Sequence, residues 1–510
     1  MSRMSFRFKL IVFVACLVCA VPAPAMASTY VPVGDDAYNM LFRLEAEGLV
    51  KSALLDSLPI SREEMRRLIS EAERNAAAGH PNKADEQDIH LLKERFGDGR
   101  EKVKYVKPLE EAYARYVFAS QNPRDNGLNY SFNGKASSAN PNGFVYNNDG
   151  DDYGKGSNFR LGFASLADLG WFSFYINPEY RYTDTSQINL KKIYGVFSAL
   201  GLDLEVGKDS QWWGPGYNGA VLLSNNAEPF TMIKLTNDRP AILPWVFKYL
   251  GLVKFTAFVT KLDGSNITPH PYLWGLRFDL KPVPYLEIGL ERLAMLGGEG
   301  RPDSLHTWLD SFTGAGENSS GLSNPGEQEA GGDVKVTLPF SVQPVQMYIE
   351  ADGSDQCGIY PCKWATVSGV YLPRILNFSR VDFRAEYADN HVPGDYPNLW
   401  YARDVYNFTY PADKDLIFGE HMGTDSKDLF FKTDYMVPAI QGRVYLSYDR
   451  ERHNLSGNPK PLQTATSLGI YLYTKDDTSI NGQYTFGTIS DAGQEDQDID
   501  IFTLGITRYF

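Results

Sequence analysis

The hydrophobic residues of this chain follow two different spacings, one near its beginning and another over the rest of its length. Up to about residue 109, apolar positions recur every three or four residues, as on one face of a helix. From about residue 112, apolar and polar side chains alternate, as on the two faces of a β-strand. The pattern predicts a small helical region over residues 28–109 and an all-β region over residues 110–510.

Three short helices are predicted in the first region. One begins near Ala37, a second follows the capping-box pair Ser61 and Glu64 and stops near Gly79, and a third ends at Gly97. Their apolar stripes are narrow. We therefore expect the helices to pack on each other or on a larger body.

The alternation in the second region is illustrated by residues 272–281. Every second side chain there is apolar, and the side chains between them include Arg277 and Asp279. Residues 333–340 and 380–387 repeat the pattern. A soluble β-sandwich shows the same alternation within one strand, so the number of strands and their connections must decide between the two architectures.

Connections between the predicted strands alternate in length. Short turns are predicted at residues 167–170, 200–202, 281–284, 341–344, 373–377, 437–440 and 475–478. Long polar segments are predicted at residues 121–156, 297–332, 389–426 and 451–461. Short turns at one end and long loops at the other are typical of outer-membrane barrels. The count predicts a transmembrane antiparallel β-barrel of about 18 strands with both ends in the periplasm; the connection 237–251 is long for a turn.

The beginning of the chain predicts export. Arg3, Arg7 and Lys9 precede an apolar run over residues 10–20, and small residues follow up to Ala27, which predicts a signal peptide over residues 1–27. The apolar run is too short to span a bilayer, and no later segment offers the roughly 18 uncharged apolar residues of a spanning helix. A lipoprotein acylated at Cys16 or Cys19 is the alternative, although Phe13-Val14-Ala15 is a poor lipobox.

The other end of the chain fits a barrel. The alternating residues 502–510 close on Phe510, as expected of a strand recognised by the barrel assembly machinery. We therefore expect the protein in the outer membrane, in contact with its lipid, with the helical region in the periplasm.

Composition and charge narrow the possible partners. Aromatic residues make up 13% of the chain, which has 31 tyrosines, and the net charge is −14. An acidic chain does not neutralise phosphates, so we expect no nucleic-acid partner. Beyond the leader only Cys357 and Cys362 remain, and a disulfide is favoured over a metal site because no His or further Cys lies nearby. No cofactor and no metal are expected.

Charged residues on the inward face of the strands would line the lumen or brace it. Ion-pair bracing is favoured over a selectivity filter. The set comprises Arg277, Asp279, Arg380, Asp382, Arg384 and Glu386.

The most distinctive motif is Trp212-Trp213-Gly214-Pro215-Gly216-Tyr217, followed by Ser224-Asn225-Asn226. Paired tryptophans and a Gly-Pro-Gly turn do not form a regular strand. Here the chain resembles the capsule assembly Wzi family, whose members share a Trp-Trp-Gly-Pro-Gly run followed by a Leu-Ser-Asn-Asn-Ala segment. The resemblance extends over essentially the whole chain after the leader. Glu228 stands where many members have Arg, so no inherited electrostatic role is carried over to that position.

The resemblance implies a large monomeric barrel, plugged from below by the helices and restricted above by outer loops. The implied role is attachment or organisation of capsular or extracellular polysaccharide at the cell surface, as by a lectin. A sugar site needs aromatic platforms beside amides and carboxylates. The motif supplies these types in Trp212, Trp213, Tyr217, Asn225 and Asn226. The alternative, an inward-folded packing element that shapes the barrel mouth, is favoured over sugar contact for the motif.

Other aromatic residues of the predicted outer loops are further candidates for sugar contact. They are Trp308, Trp364, Trp400 and Tyr401, with Tyr360, Tyr406 and Tyr410. Several of them could instead belong to the interfacial belt that tryptophan and tyrosine form at the headgroup level. The acidic segments 148–152 and 494–498 could gather Ca²⁺, but solvated acidic loops are the favoured interpretation.

Two further classes of function compete with polysaccharide binding. A porin-like channel for small solutes or saccharides rests on barrel size alone, and the predicted plug and long loops argue against an open pore. An enzyme needs a nucleophile and a base within reach. All seven histidines lie in the helical region or in loops, and none belongs to a recognisable nucleophile motif, so we expect no catalysis.

Overall fold

The computed structural model describes most of the chain. It describes residues 26–79, 81–97, 104–124, 129–132, 135–138, 143–263, 268–316, 324–357, 360–376, 378–394, 400–401, 409–410, 416–491, 493 and 495–510. The predicted leader up to residue 25, the side chains of Cys357 and Cys362, and residue 406 lie outside this description. The signal peptide and the disulfide therefore stay predictions.

Three helices form the beginning of the described chain. They are α1 (Ala37–Ala46), α2 (Arg62–Ala78) and α3 (Lys83–Phe96), as the spacing predicted. The Ser61 side chain accepts the backbone N–H of Glu64 at the start of α2, which satisfies a donor that the helix itself leaves free. We call residues 28–79 and 81–97 the plug. Among the described residues, no helix combines the length and the apolar character needed to cross a membrane.

Eighteen antiparallel strands make up the barrel within the described residues. In chain order they are β1 (Lys104–Ala119), β2 (Gly156–Leu169), β3 (Phe172–Tyr182), β4 (Ser186–Ala199), β5 (Leu202–Asp209), β6 (Phe230–Asn237), β7 (Leu252–Lys261), β8 (Tyr272–Val283), β9 (Leu286–Leu296), β10 (Glu327–Leu338), β11 (Val345–Cys357), β12 (Tyr360–Leu372), β13 (Val381–Asp389), β14 (Lys427–Val437), β15 (Gly442–Arg452), β16 (Leu462–Thr474), β17 (Thr478–Ser490) and β18 (Gln497–Tyr509).

Each strand pairs with its sequence neighbours, and β1 closes the ring by pairing with β18. The closing register runs from Glu111 opposite Tyr509 to Ala119 opposite Ile501. Beyond the last strand, the N–H of Phe510 donates to the carbonyl of Glu110 (3.0 Å). Closure leaves no strand edge unpaired, which is the condition for a sheet to exist in lipid. The predicted all-β barrel of about 18 strands is confirmed.

Apolar and polar side chains are arranged on the barrel wall in the opposite way to a soluble protein. On β3, Phe172 and Phe174 are each 49% exposed on the outer face, whereas Ser173 and Glu179 on the inner face are at most 1% exposed. Apolar side chains outside and polar side chains inside are expected where lipid is the outer solvent.

The connections divide by length as predicted. Short turns join β2 to β3, β4 to β5, β8 to β9 and β16 to β17 at the end where β1 begins and β18 ends. The long connections lie at the other end, which we call the mouth. The unusual connection 237–251 contains a 3-10 helix, Trp245–Leu250, with Trp245 and Tyr249 largely exposed. The mouth therefore lies at the opposite end of the barrel from the chain ends of the wall, β1 and β18.

Inward charges brace the wall by pairing with one another. Arg277 on β8 contacts Asp279 (2.7 Å), Asp333 on β10 (2.6 Å) and Glu291 on β9, and all four side chains are fully buried. Asp382, Arg384 and Glu386 are also buried inside the barrel. Arg380 was predicted in this set, but the prediction is wrong. It precedes β13 in the turn, where alternation has not begun, and it is exposed.

The plug is held in the barrel by ion pairs to the inner wall. Glu45 on α1 reaches Lys281 (2.7 Å) and Lys335 (3.2 Å), while Arg443 on β15 lies 3.6 Å from Asp88 on α3. These side chains are almost completely buried, so solvent does not screen the attraction. The helices therefore occupy the end of the lumen opposite the mouth as a bound body.

We expect Glu45→Gln to loosen the plug. The substitution leaves two buried ammonium groups without one of their carboxylate partners, which costs about 3–5 kcal/mol. Limited proteolysis should remove the plug faster, and the temperature at which the folded barrel changes its gel mobility should fall. Glu63→Gln, at an exposed residue of α2 (52%), is the matched control. Equal behaviour of the two variants would contradict the anchoring role of Glu45.

The same contact predicts a pH dependence. Burial raises the pKa of Glu45, but the Lys281 and Lys335 ammonium groups outweigh it and lower that pKa from 4.5 to about 2. Because the pKa is lower in the folded protein, this stabilisation is complete above pH 4.5 and is lost as the pH falls toward 2. The difference in plug release between wild type and Glu45→Gln should stay constant above pH 4.5 and shrink below it. A difference that does not shrink would show that the charge is not responsible.

Candidate functional site

The connection between β5 and β6, residues 210–229, starts at the mouth and folds into the barrel. Trp212 and Trp213 form a two-residue antiparallel ladder with Leu58 and Ser57 of the plug. The next N–H, from Gly214, donates to a backbone carbonyl of the plug (2.8 Å). The motif is irregular, as predicted, and it connects the mouth to the plug through the interior.

Trp213 is a packing residue. It is fully buried and packs edge-on against Phe258 of β7, with ring centroids 5.4 Å apart. Trp400 and Tyr401 belong to the same apolar cluster and are at most 2% exposed. The Tyr401 hydroxyl donates to the carbonyl of Val221 (2.7 Å), which ties the β13–β14 connection to the motif. Three predicted sugar contacts therefore lie inside an apolar core.

The turn after the tryptophans binds a wall carboxylate through backbone N–H groups. Those of Tyr217 and Asn218 donate to Glu386 on β13 at 2.7 and 2.8 Å, and that of Gly219 follows at 3.2 Å. Gly214 has φ +113°, and a Cβ there would meet a Glu350 carboxylate oxygen at 2.2 Å. Only glycine fits at that position. The Gly-Pro-Gly turn and the inward carboxylates are thus complementary.

The Ser-Asn-Asn segment joins the outer connections to each other. Ser224 Oγ and Asn226 Nδ2 donate to the carbonyl of Gly419, at 2.6 and 2.8 Å. Asn226 Oδ1 accepts the N–H of Asn147 in the β1–β2 connection (2.8 Å). These contacts assign a structural role to the segment. Glu228, at the end of the connection, lies 3.3 Å from Lys208.

The acidic segment 148–152 is neutralised by basic side chains. Asp149 lies 3.3 Å from Lys191 and 3.7 Å from Lys192, and Asp151 lies 2.9 Å from Arg160. Burial raises the pKa of Asp149, but Lys192 and Lys191 outweigh it and lower that pKa to about 2. Asp149 and Asp151 are buried, so the favoured interpretation of a solvated acidic loop is wrong for these two residues, and basic side chains rather than solvent compensate their charge. In the segment 494–498, residues 495–498 are exposed, and residue 494 lies outside the description.

A cavity of about 450 Å³ lies in the lumen between the plug, the motif and the wall. Its lining includes the aromatic side chains of Tyr146, Trp212, Tyr217, Phe430, Tyr445 and Tyr471. It also includes the amides of Asn147, Asn218, Asn225, Asn481 and Gln483. Tyr217 is stacked on Phe430 (6.1 Å), and the guanidinium of Arg384 lies 4.5 Å from its ring centre. The cavity therefore offers aromatic faces beside amide donors and acceptors.

The sequence candidates fall into three groups. Trp212, Tyr217 and Asn225 line this cavity, and Trp212 also packs in the apolar cluster of the plug. Trp213, Asn226, Trp400 and Tyr401 are buried in packing contacts. Trp308 lies on the helix α4 (Leu305–Thr313) and packs against Tyr272 of β8. Trp364 lies on β12 and is 44% exposed. Contact with sugar stays a prediction for all of them. The wall residues Phe430, Tyr445, Tyr471 and Gln483 were missed, although their inward phase in β14 to β17 could have identified them.

Comparisons of the sequence give two matches. A family model described as capsule assembly protein Wzi matches residues 128–500. The sequence is also 26% identical over 361 residues to a 55.8 kDa protein in the cps region of Klebsiella pneumoniae. That match covers 69% of this chain but only 64% of the Klebsiella protein.

Comparisons of the fold give solved barrels. One is Wzi of Escherichia coli, described as an outer membrane protein involved in group 1 capsule assembly and as a carbohydrate-binding β-barrel. The TM-score is 0.73 at 19% identity, and the match covers 95% of this chain and 100% of that one. OprD of Pseudomonas aeruginosa matches with a TM-score of 0.46 at 9% identity, over 80% of this chain and 95% of its own. The fold of the Escherichia coli structure thus extends over nearly all of this chain.

We expect Trp213→Ala to destabilise the barrel. Removing a fully buried tryptophan leaves a cavity beside Phe258 and costs about 3–5 kcal/mol. The unfolding temperature, read from the heat-dependent gel mobility, should fall. Trp364→Ala, at the half-exposed tryptophan of β12, should cost about 1 kcal/mol or less. A result in which both substitutions cost the same would contradict the packing role of Trp213.

Proposed function

The chain belongs to the capsule assembly protein Wzi family, and from that premise we propose that it binds capsular or extracellular polysaccharide and organises it at the cell surface. The protein is an outer-membrane β-barrel. The polysaccharide, its place of binding and the monomeric state are parts of the proposal.

The observation that carries the proposal is the chemistry of the lumenal cavity. A sugar ring presents a face of C–H groups to an aromatic ring and presents hydroxyl groups to amides around it. Tyr217, held by Glu386 through its backbone, and Tyr471, stacked on Tyr445 (5.8 Å), supply rigid aromatic faces. Asn481 and Gln483 on β17 supply amides at the same cavity. We place the sugar-binding groups at these residues together with Trp212 and Asn225.

A polysaccharide-binding function accounts for the contents of the lumen better than a function as a channel for solutes does. A diffusive channel needs a continuous aqueous path, whereas here the plug is bound to the wall through Glu45 and the motif descends from the mouth to meet it. The channel was the second candidate, on the basis of barrel width. The occupied lumen favours a receptor for a polymer that stays outside the cell.

We also propose that the protein is not catalytic. A serine, a histidine and a carboxylate do meet at the mouth, with Ser426 Oγ 3.1 Å from His453 Nδ1 and His453 Nε2 3.3 Å from Glu451. The Ser426 hydroxyl, however, donates to the carbonyl of Thr424 (2.8 Å), so its proton is not directed to the imidazole. Ser426 and His453 are also fully buried, and a substrate cannot approach the hydroxyl.

Two further partners belong to the proposal. The outward apolar side chains contact outer-membrane lipid, and the terminal strand β18, with Phe510 57% exposed, is recognised by the barrel assembly machinery during insertion.

We expect Tyr217→Ala and Trp212→Ala to weaken polysaccharide binding. Each removes an aromatic face worth roughly 1–2 kcal/mol, so each dissociation constant should rise about five- to thirtyfold. The measurement is binding of exopolysaccharide prepared from the host strain to the purified, detergent-solubilised barrel. Tyr484→Ala, at a lipid-facing tyrosine of β17 (46% exposed), is the matched control. Unchanged binding by both cavity variants, with normal heat-dependent gel mobility, would reject this location for the site.

A further inference from the structure

A buried group of one imidazole and four carboxylates lies at the mouth, outside the proposed sugar site. We call Glu420, His421, Asp428, Asp449 and Glu451 the histidine cluster. Each side chain is at most 6% exposed. The members come from the β13–β14 connection, β14 and β15, so that separate parts of the mouth meet at one point.

The two ring nitrogens of His421 have different surroundings. Nδ1 lies 2.7 Å from Glu420 Oε1, a hydrogen-bond distance. Nε2 faces Asp449 Oδ2 and Glu451 Oε1, both at 3.6 Å, and Asp428 Oδ2 at 4.0 Å. These three separations are too long for hydrogen bonds.

The longer separations fit a different interaction. In a tetrahedral site with metal–ligand distances of about 2.0–2.2 Å, neighbouring ligand atoms lie roughly 3.3–3.6 Å apart. His421 Nε2 has this spacing from the facing oxygens of Asp449 and Glu451, whereas Asp428 Oδ2 lies further away, at 4.0 Å. A histidine that binds a metal through one nitrogen usually has a carboxylate beside the other nitrogen, and Glu420 Oε1 lies 2.7 Å from His421 Nδ1.

Two carboxylates of the cluster also retain unused oxygens. Asp428 Oδ1 and Asp449 Oδ1 are buried and accept no hydrogen bond from any residue that the structure describes. The ion-pair contacts of Asp428 and Asp449 within the described chain are to His421, with no lysine or arginine. Asp428 and Asp449 together carry more negative charge than one imidazole can offset, and burial makes that charge costly unless a cation balances it.

Neighbouring side chains hold these carboxylates in place. Asn218 Nδ2 donates to Asp428 Oδ2 (3.1 Å) and Asp449 Oδ2 (3.2 Å). The Tyr146 hydroxyl donates to Asp449 Oδ2 (2.5 Å), and its ring is stacked on His421 with centroids 3.7 Å apart. Such a supporting shell is typical of metal sites, where it fixes ligand orientation.

We propose that the histidine cluster binds a divalent transition-metal ion, Zn²⁺ or Mn²⁺, through His421 Nε2 and the carboxylates of Asp428, Asp449 and Glu451. Glu420 orients the imidazole. Mixed nitrogen and oxygen ligands suit these ions, whereas Ca²⁺ and Mg²⁺ prefer oxygen alone. The ion joins the β13–β14 connection to β14 and β15, and through Tyr146 and Asn218 it stabilises the β1–β2 and β5–β6 connections. It is therefore a structural clamp that fixes the mouth.

A second buried group provides a matched control. Glu291, Glu350 and Asp352 could also hold an ion and have no imidazole among them. Glu350→Gln therefore removes a buried carboxylate from the barrel without touching the histidine cluster. A second control uses His391, which lies 2.7 Å from Asp425 at the mouth. The substitution His391→Gln tests whether the metal binds adventitiously to this other histidine.

The experiment measures metal in the full-length barrel, purified without a histidine tag and without chelator. Elemental analysis should give about one Zn²⁺ or Mn²⁺ per chain. After stripping with chelator, calorimetric titration with each ion should restore one site and raise the unfolding temperature. His421→Gln should lose the site, Glu420→Gln should weaken it about 10–100-fold, and Glu350→Gln and His391→Gln should retain it.

Several outcomes would overturn the proposal. One is wild-type protein that contains no metal and shows no saturable binding of either ion. Another is loss of the site in Glu350→Gln, or in His391→Gln, with retention in His421→Gln. If His421→Gln fails to fold, the proposal is decided by the number of metal ions per wild-type chain and by the metal affinity of Glu420→Gln. An unchanged affinity in folded Glu420→Gln would then reject the assignment.

Discussion

The structure depends on the compensation of charge inside a closed wall. The outer face of the barrel must be apolar because it meets lipid, so polar and charged side chains of the strands point inward. A lumen filled with protein excludes the water that would otherwise solvate them. Lys281, Lys335 and Arg443 therefore need carboxylates from the plug, and Glu350 and Glu386 need N–H groups from the motif. Plug, motif and wall are complementary because the wall pairs only part of its inward charges within itself, as at Arg277, and the plug and motif supply partners for others.

The strand alternation was enough to predict the barrel, its approximate strand number and the sidedness of its connections. Helix caps such as Ser61 could also be predicted, because a cap is formed by residues that are close in the sequence. The course of residues 210–229 could not be derived in this way. Trp213 and Trp400 look like surface platforms in a predicted loop, and only the three-dimensional path of the loop turns them inward. The prediction that Arg380 points inward was wrong for a related reason, because the alternation of a strand does not predict side-chain direction beyond the end of that strand.

The candidate site was accessible to sequence reasoning only in part. The motif drew attention to Trp212, Tyr217 and Asn225, which do line the lumenal cavity. The other side of that cavity is formed by β14 to β17, whose aromatic and amide residues resemble those of any inward face. These residues line the cavity because their strands lie opposite the motif in the closed barrel. Which strands lie opposite the motif depends on the pairing of β1 with β18. The histidine cluster likewise joins positions that are more than 20 residues apart in the sequence.

The ladder between Trp212-Trp213 and Ser57-Leu58 has a consequence for the order of folding. A segment that starts at the mouth is hydrogen-bonded to one that enters from the opposite end, so neither can reach its final position alone. Folding at the two ends of the barrel must therefore finish together, and afterwards the plug cannot be withdrawn without breaking this ladder. A mouth whose β5–β6 connection has reached its final position is thus a sign that the opposite end is closed.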